Sequence, residues 1–173
     1  MSDVALTTDV QTTLPTPERL LLQFQLDQLN ADYAAALDDK RFDDWPEFFV
    51  EDGRYTVQGR ENFDRGLPLA LIDLESRSMM KDRVYGVTQT IFHAPYYTRH
   101  IVGPARMVSN ENGVIHAETH YAVFRTRPGG VSEVYNVGRY IDTIVKKGNC
   151  LKFRSRLCVY DSEMILNSLI YPI

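Results

Sequence analysis

The second half of the chain contains four long stretches of strand-forming residues, and this pattern restricts the fold more than any other feature. The stretches are Tyr96 to Val108, Val114 to Arg127, Val131 to Val145 and Cys150 to Tyr160. Clusters of turn residues separate them at 109–113, 128–130 and 146–149, and each cluster contains glycine. Successive strands joined by short turns pair in antiparallel order, so the pattern predicts a meander. Because the usual strand has about 5–6 residues, we expect a sheet of such long strands to twist strongly.

The first half of the chain favours helices. Thr16, Pro17 and Glu18 make a typical helix start, because a hydroxyl caps free amides, proline suits the first turn and an acid complements the helix dipole. The apolar residues that follow recur at helical spacing: Leu22, Leu26, Leu29, Tyr33 and Leu37. We expect this helix to end at Asp38 and Asp39.

Three more elements are predicted before the long strands. A short helix begins at Asp43 or Asp44, and Gly53 then turns the chain into a strand at residues 54–58. Residues 62–83 predict another helix.

The order of these elements is typical of an α+β fold, in which helices from the first half cover the concave face of the sheet. A chain of 173 residues fits one domain by length. We therefore expect a single α+β domain at residues 16–173, preceded by a flexible N-terminal arm at residues 1–15.

The composition argues against several classes of partner and location. A formal net charge of -4 gives no basic surface for nucleic acid. No stretch approaches the ~20 apolar residues of a membrane span, and the polar first residues are unlike a signal peptide. Cys150 and Cys158 are too few for a disulfide framework. We expect a cytoplasmic protein with reduced thiols and no membrane or nucleic-acid partner.

One group of residues superficially resembles an iron site. His116, Glu118 and His120 alternate along one predicted strand and therefore share a face. At ~3.4 Å per residue the two histidines lie about 13 Å apart, whereas metal–nitrogen bonds measure ~2 Å. We therefore expect no metal ion here. The sequence also lacks the common nucleotide-binding, zinc-protease and nucleophile motifs.

A curled sheet beneath helices tends to form a pocket, and four residues could act in one. His93 or His100, with Tyr55 or Asp38, could provide a general base and a polarising partner. Hydrogen-bonded core residues are the more frequent role for such side chains. The sequence leaves both interpretations open.

A second group lies at two basic elements, Asp82-Arg83 and Arg99-His100. These residues could form exposed surface pairs, each contributing less than ~1 kcal/mol. They could instead meet in a buried, hydrogen-bonded network, since arginine offers a planar fork to carboxylates. In either case we expect a structural or assembly role.

The last eight residues, 166–173, are unusually apolar for the end of a chain. Leu166, Leu169, Ile170, Tyr171 and Ile173 are all apolar. Burying one such side chain contributes roughly 1.5–3 kcal/mol, so we expect this tail to pack against the domain or a neighbouring subunit. Pro172 suits an extended segment.

Three segments, taken in order, resemble the β subunits of Rieske-type aromatic-ring-hydroxylating oxygenases. They are LDDKRFDDWPEFFVEDGRYTV, then MMKDRVYG followed by YYTRHIVG, and finally VGRYIDTIVKKGNCLKFRSRLCVYDSE. The resemblance covers roughly residues 17 to 173. It implies a cone-shaped fold like those of nuclear transport factor two and scytalone dehydratase.

The resemblance also implies an assembly of three α and three β subunits. The α subunit would hold the Rieske [2Fe-2S] cluster and mononuclear Fe(II), and a reductase would supply electrons from NADH. The β subunit would carry no catalytic, cofactor-binding or metal-binding residue. The ending LNSLIYPI resembles subunits of hydroxylases for aromatic carboxylates such as salicylate and terephthalate.

Two other functions remain open at this point. One is a free-standing dehydratase, isomerase or cyclase on the same cone, using His100 or His93 with Tyr55 and Asp38. The other is a ligand-binding module without catalytic activity.

Overall fold

The computed structural model describes residues 14–162 and 169–173. The predicted N-terminal arm therefore lies outside the described residues, apart from Leu14 and Pro15, which precede the first helix without regular structure.

Seven strands and three α-helices make up the described part of the chain. In chain order they are α1 (Pro17–Asp38), a 3₁₀ turn (Trp45–Phe48), β1 (Phe49–Gly59), α2 (Arg60–Asp64), β2 (Ile72–Leu74), α3 (Arg77–Tyr85), a π-helical segment (Gly86–Thr90), β3 (Tyr97–Val102), β4 (Arg106–Glu111), β5 (Val114–Thr126), β6 (Ser132–Lys147) and β7 (Cys150–Tyr160).

Helix α1 forms as its sequence predicts. The Thr16 hydroxyl accepts a hydrogen bond from the Arg19 amide at 3.3 Å, Pro17 occupies the first turn, and Asp39 closes the far end. The predicted apolar stripe is the buried face, with Leu26, Leu29, Tyr33 and Leu37 all buried. This face lies against the sheet and forms one wall of the core.

The sheet has the strand order β2-β1-β7-β6-β5-β3, with β4 also paired to β5. Strands β5, β6 and β7 form the predicted antiparallel meander. The β4–β5 turn has positive φ at both Asn112 and Gly113, as tight two-residue hairpins require.

Strand β1 pairs in parallel with β7, and this pairing joins the two halves of the chain. Register shifts in several ladders help the sheet curl around α1.

The predicted single strand from Tyr96 to Val108 is wrong. The chain breaks at residues 103–105, and the two pieces, β3 and β4, pair separately with β5. Gly103 still donates to the carbonyl of His120 at 2.9 Å. Pro104 has no N–H, however, so the ladder cannot continue through it.

The predicted helix at 62–83 is also wrong. Helix α2 ends where Gly66 adopts a φ of 64°, a left-handed conformation that glycine favours. Residues 72–74 then form β2, in which Ile72 pairs with Val57 of β1. A new helix, α3, begins where the Ser76 hydroxyl accepts from the Met79 amide at 3.3 Å.

The space between α1 and the sheet is filled mainly by aromatic side chains. Tyr33 lies at its centre and packs edge-on against Phe49 and Phe153, with ring centroids 6.5 and 5.8 Å apart. Trp45 and Tyr55 pack against each other at 5.0 Å. The result is the α+β cone that the sequence predicts, with a packed interior. None of the helices described is long and apolar enough to cross a membrane.

Candidate functional site

The centre of the cone holds a buried ion pair between neighbouring strands. Asp142 on β6 and Arg156 on β7 are register partners, so their side chains enter the interior side by side. The Arg156 Nε and Nη2 atoms donate to the two carboxylate oxygens at 2.9 and 2.7 Å. Arg156 also donates to the Asn30 side chain from α1. Asn30 in turn donates to Thr119 at 3.3 Å, so this group links the helix to three strands.

Aromatic rings enclose the guanidinium group of this pair. The Arg156 Cζ atom lies 4.2 Å from the Tyr33 ring centroid, 4.0 Å from that of Tyr140 and 3.9 Å from that of Phe153. Burial raises the pKa of Asp142, and the charge of Arg156 opposes that rise only in part. Burial acts to lower the pKa of Arg156, but the charge of Asp142, the hydrogen bond to Asp142 and the two neighbouring tyrosines together outweigh it, so the pKa is raised above its usual range. Breaking a bidentate pair buried in this way is strongly destabilising, because removing one partner leaves an uncompensated buried charge.

Ile173 is buried and belongs to the core cluster of the cone. Its carbonyl oxygen accepts from the Tyr33 hydroxyl at 2.9 Å and the Tyr55 hydroxyl at 3.1 Å. The Trp45 indole donates to the Tyr33 hydroxyl at 3.1 Å, which fixes that ring. Burial raises the pKa of both tyrosines well above their usual range. Both hydroxyls therefore stay protonated at neutral pH, and Tyr55 has a structural partner.

The rest of the described tail is held by an arginine and three rings. Arg83 Nη2 donates to the carbonyls of Leu169 and Ile170 at 3.0 and 2.9 Å. Tyr171 is buried, with its ring centroid 4.8 Å from Phe42, 4.6 Å from Tyr96 and 5.2 Å from His93. The predicted packing of the tail is confirmed for residues 169–173. Residues 166–168 lie outside the described part.

His100 and Asp38 do come together, at the end of α1. His100 Nδ1 donates to the carboxylate at 2.6 Å, and the His100 backbone amide donates to it at 2.9 Å. Burial acts to raise the pKa of Asp38, but hydrogen bonds from His100 and the charge of that ring outweigh it, so the pKa is lowered. The other ring nitrogen, Nε2, is buried and has no hydrogen-bond partner among the described residues.

The remaining members of the predicted pocket lie elsewhere. Tyr55 bonds to Ile173 and not to the His100–Asp38 pair. His93 donates from Nδ1 to the carbonyl of Ala94 at 2.9 Å and packs against Tyr171. The structure therefore provides an oriented imidazole without the tyrosine that the enzymatic interpretation requires.

The four residues Asp82, Arg83, Arg99 and His100 do not form one network, so the structure contradicts one of the two alternatives that the sequence left open, the shared buried network. Arg83 binds the tail, whereas Arg99 lies 3.7 Å from Asp38 with 71% of its side chain exposed. Asp82 is exposed and forms no ion pair with any described residue. The positions of Asp82-Arg83 and Arg99-His100 in the sequence do not indicate which side chains come into contact.

The alternating residues of β5 stay apart. His116 faces Thr143 at 3.4 Å, Glu118 pairs with Arg106 at 2.5 Å, and His120 is exposed. Within residues 14–162 and 169–173, no three histidine, cysteine, aspartate or glutamate side chains are placed to hold a metal ion.

Sequence reasoning missed Asn30, Asp142 and Arg156. The sequence contains a signal for two of them. On β6, Asp142 lies two residues from both Tyr140 and Ile144 and so shares their inward face. Arg156 likewise lies between the inward residues of β7. Charged residues at inward positions of neighbouring strands indicate a buried pair once the register is known.

Comparison with known proteins gives a consistent result. The sequence profile described as "Ring hydroxylating beta subunit" matches residues 33–167. The chain is 32% identical over 150 residues to the small subunit of anthranilate 1,2-dioxygenase from Burkholderia cepacia, covering 87% of this chain and 93% of that one. It is 28% identical over 145 residues to the terminal oxygenase component subunit beta 2 of terephthalate 1,2-dioxygenase from Comamonas sp, covering 84% and 94%.

Solved structures show the same relationship. The β subunit of a putative aromatic-ring-hydroxylating dioxygenase from Novosphingobium aromaticivorans superposes with a TM-score of 0.82 at 36% identity, covering 89% of this chain and 98% of that one. A putative scytalone dehydratase from the same organism superposes with a TM-score of 0.65 at 17% identity, covering 86% and 91%. The second similarity is evidence for the shared cone fold alone.

Proposed function

The chain belongs to the family of ring-hydroxylating β subunits, and we propose that it supports a larger catalytic α subunit without itself reacting with substrate. In this proposal the α subunit holds the Rieske [2Fe-2S] cluster and the mononuclear Fe(II). A reductase passes electrons to it from NADH. Three α and three β subunits form the complex, in the cytoplasm.

The observation that carries the non-catalytic role is the packed interior of the cone. A catalytic pocket must leave a concave space with a few polar groups directed at the substrate. Here the two tyrosine hydroxyls at the bottom of the cone bind Ile173, and the guanidinium of Arg156 is covered by three rings. These two hydroxyls and the faces of this guanidinium are therefore occupied by the protein itself, whereas Arg156 Nη1 and the Tyr140 hydroxyl have no hydrogen-bond partner among the described residues.

The dehydratase alternative is not favoured by this arrangement. His100 has the orienting carboxylate that a general base needs, but its side chain is 0% exposed and Tyr55 is bound elsewhere. A substrate proton must come within about 2.6–3.2 Å of a catalytic base. The His100 side chain is buried, and its ring nitrogen without a partner, Nε2, is not accessible to solvent in the described structure.

The substrate class follows from the named relatives. Anthranilate and terephthalate, the compounds in the names of the two curated relatives, are both aromatic carboxylates. We propose that the complete oxygenase containing this chain hydroxylates an aromatic carboxylate.

Reconstitution tests the proposal. The chain is expressed alone and together with a candidate α subunit encoded in the same genome. Each sample is then weighed by native mass spectrometry and assayed with reductase, NADH and benzoate, anthranilate, salicylate or terephthalate. We expect a six-subunit complex and product formation only when the α subunit is present. A chain that stays monomeric in the presence of that α subunit, or that forms product alone, would contradict the proposal.

A further inference from the structure

A pocket of about 430 Å³ opens where the described tail leaves the cone. It lies between α3, residues 91–96, the end of β5 and the tail. Three arginines contribute to its lining, Arg83 from α3, Arg125 from β5 and Arg127 just after that strand. We call this the arginine pocket.

Arg83 and Arg127 bring positive charge to the arginine pocket, as does Arg125, which has partners of its own. None of the described lining residues is acidic. Glu133 on β6 lies beside the pocket and is shared between Arg125, at 2.7 Å, and Arg127, at 3.2 Å. Arg83 donates to backbone carbonyls and forms no ion pair within the described part of the chain. Positive charge held near apolar surface attracts a small anion more strongly than it would in open water.

Much of the remaining lining of the arginine pocket is apolar or aromatic. Phe92 is fully exposed, Ile91 is 39% exposed, and Tyr96, which is 5% exposed, also contributes to the lining. The Tyr96 ring packs against that of Tyr171 in a tilted arrangement, with ring centroids 4.6 Å apart. A fully exposed phenylalanine beside guanidinium groups offers a contact surface that a planar ring would cover.

We propose that the arginine pocket is a binding site for a small aromatic carboxylate. The carboxylate contacts the guanidinium groups of Arg127 and Arg83, because a planar cationic fork matches a carboxylate in shape and charge. The ring lies against Phe92 and Tyr96. The volume falls within the roughly 300–1,000 Å³ of small-molecule pockets.

The inference goes beyond the proposed function, because it concerns a ligand of this chain and not assembly or chemistry in the α subunit. The two can fail separately. Assembly of the unaltered chain tests the proposed function, whereas ligand binding by the unaltered chain tests the arginine pocket.

Two variants test the arginine pocket without touching the tail. Arg127→Gln removes a half-exposed guanidinium whose described ion pair is with Glu133 alone, and Phe92→Ala removes an exposed ring. Arg41→Gln is the matched control, because Arg41 is equally exposed and pairs with Asp39 and Asp44 outside the pocket. Circular dichroism checks that each full-length variant is folded.

The measurement is calorimetric titration of the full-length chain with benzoate, and with benzamide and acetate as comparison ligands. For the unaltered chain we expect saturable binding of benzoate and at least tenfold weaker binding of benzamide and of acetate. The affinity for benzoate should fall at least tenfold in Arg127→Gln and in Phe92→Ala, but not in Arg41→Gln. No binding of benzoate, or equal affinity in all variants, would overturn the proposal. So would loss of assembly with the α subunit in both pocket variants when no benzoate is present, because that result would identify the surface as a protein interface.

Discussion

The hydroxyl of Tyr55 binds both polar backbone atoms of Ile173, accepting from its N–H at 2.9 Å and donating to its carbonyl oxygen at 3.1 Å. A residue in the middle of β1 thus holds a residue 118 positions later in the sequence. This contact ties the described tail to the core and closes the interior of the cone.

Removing the tail should destabilise the domain. Leu169, Tyr171 and Ile173 are buried, and each such side chain contributes roughly 1.5–3 kcal/mol when fully buried. A chain ending at Asn167 should therefore melt several degrees lower than the full chain in a thermal unfolding experiment. Equal melting temperatures for the two chains would show that the tail contributes nothing to stability.

Local patterns predicted much of this fold. Three of these patterns depend only on residues near one another in sequence: the cap and apolar stripe of α1, the tight turns of the meander, and the apolar tail. All three are confirmed for the described residues. The parallel pairing of β1 with β7 could not be predicted, because it joins residues about a hundred positions apart. Strand β2 was missed because it has only three residues, and its conformation depends on pairing with β1.

The candidate residues divided in a similar way. The sequence shows that His100, Asp38 and Arg83 are polar residues able to form hydrogen bonds. Their partners, however, depend on how α1, α3 and the tail meet β3. The Asp142–Arg156 pair required knowledge of the β6–β7 register. Chemistry that depends on the exact register of paired strands is the part that a single sequence conceals.

The Asp142–Arg156 pair should show strong coupling in a double-mutant cycle. Removing one partner leaves an uncompensated charge in the core, which costs about 3–5 kcal/mol. Replacing both with Asp142→Leu and Arg156→Met removes both charges, so it should cost less than the sum of the single changes. Urea unfolding of the four proteins gives the free energies, and simple additivity would contradict the described contact.

Arg83 and Arg99 should differ in their effect on stability. Arg83 makes two hydrogen bonds to the tail, whereas Arg99 is an exposed residue 3.7 Å from Asp38. We expect Arg83→Ala to lower the free energy of unfolding by about 1–3 kcal/mol and Arg99→Ala by less than about 1 kcal/mol. Thermal and urea unfolding measure both, and the reverse order would refute these assignments.

Asp38 should make stability depend on acid pH. Its pKa in the folded chain is lowered, so its ionised form stabilises the fold above the unfolded pKa of about 3.9. This contribution is lost as the pH falls through the lower, folded pKa. Urea unfolding is measured between about pH 6 and about pH 2, a range that includes the unfolded pKa. The free energy of unfolding should depend less on pH in Asp38→Asn than in the unaltered chain. Asp82→Asn is the control, because Asp82 is exposed and without an ion pair among the described residues; identical curves for all three proteins would contradict the assignment.

The most direct test of the account asks whether the best catalytic candidate in this chain does any chemistry. His100→Gln removes the imidazole but keeps a polar side chain beside Asp38. The variant is assembled with the α subunit, purified as an intact complex and matched for iron content. The rate of hydroxylated product formation per complex is then measured with reductase and NADH. A structural β subunit predicts a rate within about twofold of the unaltered complex, which corresponds to less than ~0.5 kcal/mol in the barrier. A fall of a hundredfold or more in an intact, iron-loaded complex would show that His100 is catalytic and would contradict the account.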